Sequence, residues 1–230
     1  MSRLTTFVVS LVLLAGLVVA YPAQAQPNGV LSRESPLVRV AVVGDSYTNG
    51  TAIGGQGPKA WTVQAWQTLA GRGLQIAPDV AAEGRAGYGV RGDQGSIFLD
   101  LTSRAVRPDD ALVVFFGSRN DQGVDPLALA GMAHDAFALA RRTAPSARLL
   151  VIGPPWPTAP APPAVLQVRD ILRSQAQSVG AEFFDPINAG WFVGRPDLIG
   201  ADGVHPNDAG HTYMAQRIAP LITAQLPHGV

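Results

Sequence analysis

Five short apolar runs, rich in β-branched residues, recur along the chain: Leu37–Val43, Leu74–Ala81, Ala111–Phe116, Arg148–Ile152 and Ala181–Phe184. Runs of that length with little polar alternation are what strands buried on both faces require. Between them the hydrophobic period lengthens. Lys59–Gly71, Gln94–Val106, Pro126–Thr143 and Ala164–Val179 have helical length and spacing, and Asp208–Gln225 supplies a last helix with Pro220 as a point of kinking. Pro58 suits the first turn of its helix and Gly71 its exit. Strands alternating with helices predict an α/β fold: a parallel sheet covered by helices on both faces, with right-handed crossovers. There is no internal repeat and no break in composition. The proline-rich stretch Pro154–Pro163 lies between a strand and a helix and reads as a stiff surface loop.

The amino-terminal pattern is of another kind. A small basic head, Met1-Ser2-Arg3, precedes an uncharged apolar run, Phe7–Ala20, and then Tyr21-Pro22-Ala23-Gln24-Ala25. This is the layout of a secretory signal peptide with an Ala-x-Ala exit, so cleavage after Ala25 and export are expected. The run is shorter than the roughly 20 residues of a membrane-spanning helix; an uncleaved anchor is the alternative. Residues 26–36, with Pro, Gly, Ser and Asn, read as a flexible leader, leaving 37–230 as a single domain.

Composition narrows the chemistry. Seventeen basic residues balance seventeen acidic ones, without a run of like charge. That removes the electrostatic footprint of a nucleic-acid or polybasic membrane partner. The chain has no cysteine, which excludes disulfides, zinc-thiolate sites and thiol nucleophiles together. Any nucleophile is then an oxygen or a nitrogen.

In an open parallel sheet the ligand site lies beyond the carboxyl ends of the strands. The first strand is followed by Gly44-Asp45-Ser46-Tyr47-Thr48 and the second by Ala82-Glu83-Gly84-Arg85-Ala86-Gly87. Gly117-Ser118-Arg119-Asn120-Asp121 follows the third, and Asp202-Gly203-Val204-His205-Pro206 precedes the last helix. Each alone is an ordinary turn composition. Collected in one crevice, they hold a hydroxyl nucleophile, a base, an acid to orient it and several hydrogen-bond donors, the parts acyl transfer requires.

These four blocks, in this order, resemble the SGNH hydrolase superfamily, also called GDSL esterases and lipases. The resemblance spans almost the whole mature chain. It implies a flavodoxin-like three-layer α/β/α sandwich with five parallel strands in the order 2-1-3-4-5, no cofactor, and hydrolysis of a carboxylic ester through an acyl-serine. It assigns Ser46 as nucleophile, His205 as base and Asp202 as the carboxylate that orients it. The oxyanion donors carried over are the backbone N–H groups of Ser46 and Gly84 and the side-chain amide of Asn120. At position 84 a glycine would let the backbone approach the substrate. With histidine as base, kcat/KM is expected to fall on the acidic limb.

Two departures stand out. The family's third block is commonly Gly-x-Asn-Asp, whereas one more residue separates Gly117 from Asn120 here, and the inserted Arg119 adds a charge beside the proposed donor. The Gly-x-Ser-x-Gly elbow of α/β-hydrolases is missing.

Among the remaining candidates, Asp45 is expected to hold its turn through backbone hydrogen bonds. Asp45 and Asp202 have no third carboxylate to complete a magnesium site, so no metal is expected. His134, His211 and His228 read as packing, capping or exposed residues. Tyr47, Tyr88, Trp156, Trp191 and Phe192 fall in strand-end loops or in the segment before Asp202. They are candidates for an apolar acyl pocket or a sugar-stacking surface, or for plain loop packing. The Gly-containing stretch 188–201 is an adjustable wall. The expected partner is a small-molecule, lipid or glycan ester. An acyltransferase or glycan deacylase would use the same residues. A non-catalytic flavodoxin-like module that binds an anion on the Ser46–Thr51 loop is the alternative of another class.

Overall fold

The computed structural model describes residues 37–226. The signal segment 1–25, the leader 26–36 and His228 lie outside the described residues. The five strands are β1 (Val38–Gly44), β2 (Ile76–Ala82), β3 (Leu112–Phe116), β4 (Arg148–Ile152) and β5 (Glu182–Phe184), all parallel, in the order β2-β1-β3-β4-β5. The helices are α1 (Ser46–Asn49), α2 (Trp61–Ala70), α3 (Phe98–Ala105), α4 (Pro126–Thr143), α5 (Pro163–Ser178) and α6 (Asp208–Gln225). α6 runs through Pro220 as a single element.

Period-two alternation in β1 sorts its side chains onto the two faces of the sheet. Ala41 and Val43 join Phe98 and Leu101 of α3, Leu129 and Phe137 of α4 and Leu172 of α5 in one buried cluster. Val38, Val40 and Val42 join Trp61 and Leu69 of α2 and Met214, Ile218 and Ile222 of α6 in the other. This is the three-layer α/β/α sandwich. The register aligns the carboxyl ends of the three central strands, with Gly44 opposite Ala82 on one side and Phe116 on the other, and Phe116 opposite Ile152. The loops after β1, β2 and β3 therefore leave the sheet side by side.

Helix α3 begins at Phe98, four residues later than the hydrophobic pattern suggests. The intervening residues are consumed by a turn in which Gly95 takes a positive φ and the N–H groups of Gln94 and Ser96 both donate to the buried Glu83 carboxylate.

Candidate active site

Ser46 opens α1, a single helical turn directly after β1. Asp45 caps that turn through Oδ1, which accepts the Tyr47 N–H at 2.9 Å. This is the turn-holding role its position suggested. The Ser46 Oγ lies 3.1 Å from His205 Nε2, and His205 Nδ1 lies 2.6 Å from Asp202 Oδ2. A carboxylate can only accept, so it selects the tautomer with the proton on Nδ1. Nε2 is left as the acceptor that faces the serine hydroxyl.

The loop bearing His205 closes on itself. Ile199 pairs with Pro206 in an antiparallel bridge, and the Gly200 N–H donates to the His205 carbonyl at 2.8 Å. Asp202 Oδ1 accepts the N–H groups of Val204 and His205 at 2.9 and 3.0 Å, an Asx turn that brings side chains i and i+3 together. Gly203, inside that turn, has φ +68°, a conformation L side chains rarely adopt. Burial alone would raise the Asp202 carboxyl, but the hydrogen bonds from the His205 ring and from the two N–H groups outweigh it and bring it down to about 2. Tyr47 stitches this loop to the nucleophile: its hydroxyl donates to the Val204 carbonyl at 2.5 Å.

The proposed oxyanion donors come from β1, β2 and β3. Among the described residues, the backbone N–H groups of Ser46 and Gly84 donate to no protein acceptor. The Asn120 amide nitrogen faces the Ala86 carbonyl at 2.9 Å and Asp45 Oδ2 at 3.4 Å. Both neighbours are acceptors, which orients the amide with its nitrogen toward them. Asn120 sits in the one-turn 3₁₀ helix Arg119–Asp121, capped by Ser118 Oγ. The next residue, Asp121, ties the β2 loop to this turn by accepting the N–H groups of Tyr88, Gly89 and Val90 at 2.9, 2.8 and 3.2 Å. A Cβ at position 84 would meet only Asp93 Oδ2, at 2.3 Å, the end of an exposed side chain that could swing aside.

Asp45 is buried, and desolvation pushes its carboxyl up to about 7; the Tyr47 N–H opposes this, the Asp121 charge adds to it, and the Arg119 guanidinium opposes it. The native state therefore holds a proton that the unfolded chain releases near pH 4. Native protein binds more protons over the interval from about 4 to about 7, so this carboxyl's contribution to stability falls as pH rises through it. Asp45→Asn should remove that dependence. The unfolding free energy of the parent relative to the variant should decline from pH 4.5 to 7.5, by an amount on the order of a few kcal/mol, and its melting temperature should fall with it. Parallel melting curves across that range would refute the buried ionisation.

Other expectations divide. His211 is 1% exposed, and its Nδ1 accepts the Trp61 N–H at the start of α2, so it packs and caps as expected. Burial pushes it down to about 4, against the Asp208 charge and with that of His205. Tyr47 and Trp191, both candidates for substrate contact, are each 1% exposed in the apolar cluster with Phe116. Their rings complete the core, which leaves no face for a ligand to stack on. Tyr88 and Phe192 are buried likewise. Trp156 is half-buried and lies against Arg119, whose Cζ is 4.1 Å from the indole centroid. The Tyr47 hydroxyl anchor, the Asp121 clasp and the Arg119–Trp156 stack had no spacing signal. The Asp121 clasp left a trace in the glycine-rich stretch 84–92, whose N–H groups need acceptors, and Arg119 left one as the extra residue of the third block.

A parallel five-stranded α/β/α sandwich thus carries a hydrogen-bonded Ser–His–Asp chain at its strand ends, the fold and layout of a hydrolase. The chain belongs to the GDSL-like lipase/acylhydrolase family, whose model matches residues 42–213, and it is a carboxylic ester hydrolase. A relative from Mycobacterium tuberculosis, named GDSL lipase Rv0518, is 61% identical over 98% of this chain and 99% of its own length. Among solved structures, a lipase/acylhydrolase from Enterococcus faecalis matches with TM-score 0.64 at 15% identity, over 83% of this chain and 98% of that one. A carbohydrate esterase family 2 enzyme with a carbohydrate-binding domain, from Myceliophthora fergusii, matches with TM-score 0.65 at 20% identity, over 83% and 68%. At these identities the two structures share the fold. Among the described residues no helix is long and apolar enough to cross a membrane.

Proposed function

We propose that the protein is an exported lipid esterase that works through an acyl-serine intermediate. The observation that carries this reading is the hydrogen-bonded chain from Ser46 Oγ through the His205 ring to Asp202, at 3.1 and 2.6 Å. Ser46 Oγ attacks the ester carbonyl as His205 Nε2 takes its proton, and Asp202 stabilises the imidazolium so formed. The oxyanion is met by the N–H groups of Ser46 and Gly84 and by the Asn120 amide. The 3.4 Å contact from Asn120 to Asp45 is long enough for its hydrogen to turn toward the stronger acceptor. His205 returns the proton to the leaving alcohol, and a water activated by the same ring hydrolyses the acyl-serine.

Lipid esters are favoured because the 61% identical relative is named a lipase. Export rests on the Met1–Ala25 pattern, with maturation to Gln26. The test is trapping. Incubation with a fluorophosphonate should add one phosphonyl group, which peptide mass mapping should place on Ser46. Modification at another residue, or none while ester hydrolysis proceeds, would overturn the assignment.

A further inference from the structure

Five arginines among the described residues are half-buried: Arg39, Arg119, Arg141, Arg169 and Arg173. Arg39, Arg169 and Arg173 pair with carboxylates, and Arg141 donates to the carbonyls of Ala147, Val179 and Gly180. Arg119 is the exception. Its Nη1 is wholly buried without a hydrogen-bond partner, and among the described residues the guanidinium forms no ion pair. A cation taken out of water is ordinarily matched by an acceptor. This one is instead held in place on one side: its plane lies against Trp156, and the Trp156 Nε1–H donates to Thr158 Oγ1 at 3.1 Å, which fixes the ring. The guanidinium sits against the Tyr47 hydroxyl, a neutral partner, and near enough to the Asp45 carboxyl to pull both groups toward ionisation. It therefore stands beside the nucleophile's turn, one residue from the proposed oxyanion amide. It is also the residue by which the third block is longer than the family's usual spacing.

We propose that Arg119, set on Trp156, is a subsite for an anionic oxygen group on the substrate, a carboxylate or a phosphate carried by the ester. The substrate class is then an anionic ester rather than a neutral one. A guanidinium presents parallel N–H donors that match the oxygens of either group, and a stacked, pre-positioned fork loses little freedom on binding. The titratable groups that face it are Asp45, from β1's exit, and Tyr47, from the nucleophile's turn, and Asp121 lies near Asp45. Both carboxyls are buried and raised by desolvation, and neither reaches ion-pair distance, so they bias the fork without occupying it.

The proposal rests on the Ser46 hydrolase reading, and the test separates the two. Steady-state hydrolysis at neutral pH is measured for two matched pairs: monobutyrylglycerol against monobutyrylglycerol phosphate, and dimethyl succinate against monomethyl succinate. The first pair carries the charge on the alcohol side, the second on the acyl side. In at least one pair the parent should favour the anion in kcat/KM by about tenfold or more, the scale of one charge-assisted hydrogen bond, and the pair that responds identifies which side docks. Arg119→Gln should collapse that ratio toward one, mainly through KM, while Arg119→Lys retains part of it. Raising the salt concentration should shrink the ratio in the parent, a readout that needs no variant to fold. A parent without anion preference in either pair overturns the proposal. So does an Arg119→Gln enzyme that slows both members of a pair equally, which would make the arginine a counter-charge for Asp45. Failure of the parent on all four esters and on p-nitrophenyl acetate would instead overturn the hydrolase reading, and the subsite with it.

Discussion

Ser46→Ala should lower kcat for p-nitrophenyl esters by roughly 10⁴- to 10⁶-fold, the range seen when a member of a serine–histidine pair is removed. The side chain is 7% exposed and its Oγ faces the acceptor nitrogen of His205 at 3.1 Å. Its loss takes away the only attacking atom and leaves the rest of the constellation standing. Stability should change little, by about 1 kcal/mol or less, since one modest hydrogen bond is lost and no cavity larger than an oxygen opens. A thermal melt recorded beside the rate separates loss of chemistry from loss of fold. Retention of more than a tenth of the parental rate by a folded variant would remove Ser46 from the role.

Asn120→Ala should cost about 2.7 to 4 kcal/mol of barrier, or roughly 10²- to 10³-fold in kcat, if its amide is one of the oxyanion donors. The effect should appear in kcat with KM nearly unchanged, because the oxyanion exists only in the transition state. The same amide donates to the Ala86 carbonyl at 2.9 Å. The variant therefore also leaves a loop carbonyl unpaired, and a small drop in melting temperature should accompany the kinetic loss. A variant that loses stability but keeps kcat within a few-fold would make Asn120 a brace for the Ala86 loop alone.

Much of this architecture could be read before any coordinates. The β-branched runs mark strands because a sheet covered on both faces has no solvated side to impose alternation, and the strand of Arg148–Ile152 matches to the residue. The pairing of Asp202 with His205 was implied by the resemblance of the Asp202-x-x-His205 block to its family, and a loop lets side chains three apart meet. The turn Ser46–Asn49 was not: one helical turn has no period to detect, and its stability comes from the Asp45 cap. The buried aromatic candidates Tyr47, Tyr88, Trp191 and Phe192 fell away for a related reason. Residue type and proximity to a strand end do not say whether a ring points outward or back into the sheet. Tyr47 and Trp191 point back, where burial of so large an apolar surface outweighs any exposed position. Arg119 was visible as an extra residue and a misplaced charge, but its indole neighbour lies thirty-seven positions away in sequence, on a different loop.

His205 is carried by a strand-like clasp that begins at Ile199 and is sealed at Pro206. Asn207 extends it upstream, its N–H donating to the Leu198 carbonyl at 3.0 Å and its side-chain amide to that of Asp197 at 2.8 Å, so the preceding segment is bound to the imidazole's mounting. Within 188–198, Trp191, Phe192 and Leu198 are buried in the core, so the stretch can vary only at solvent-facing positions such as Val193. Novelty in what is accepted would have to enter through those few outward positions, because the inward ones hold up the same wall.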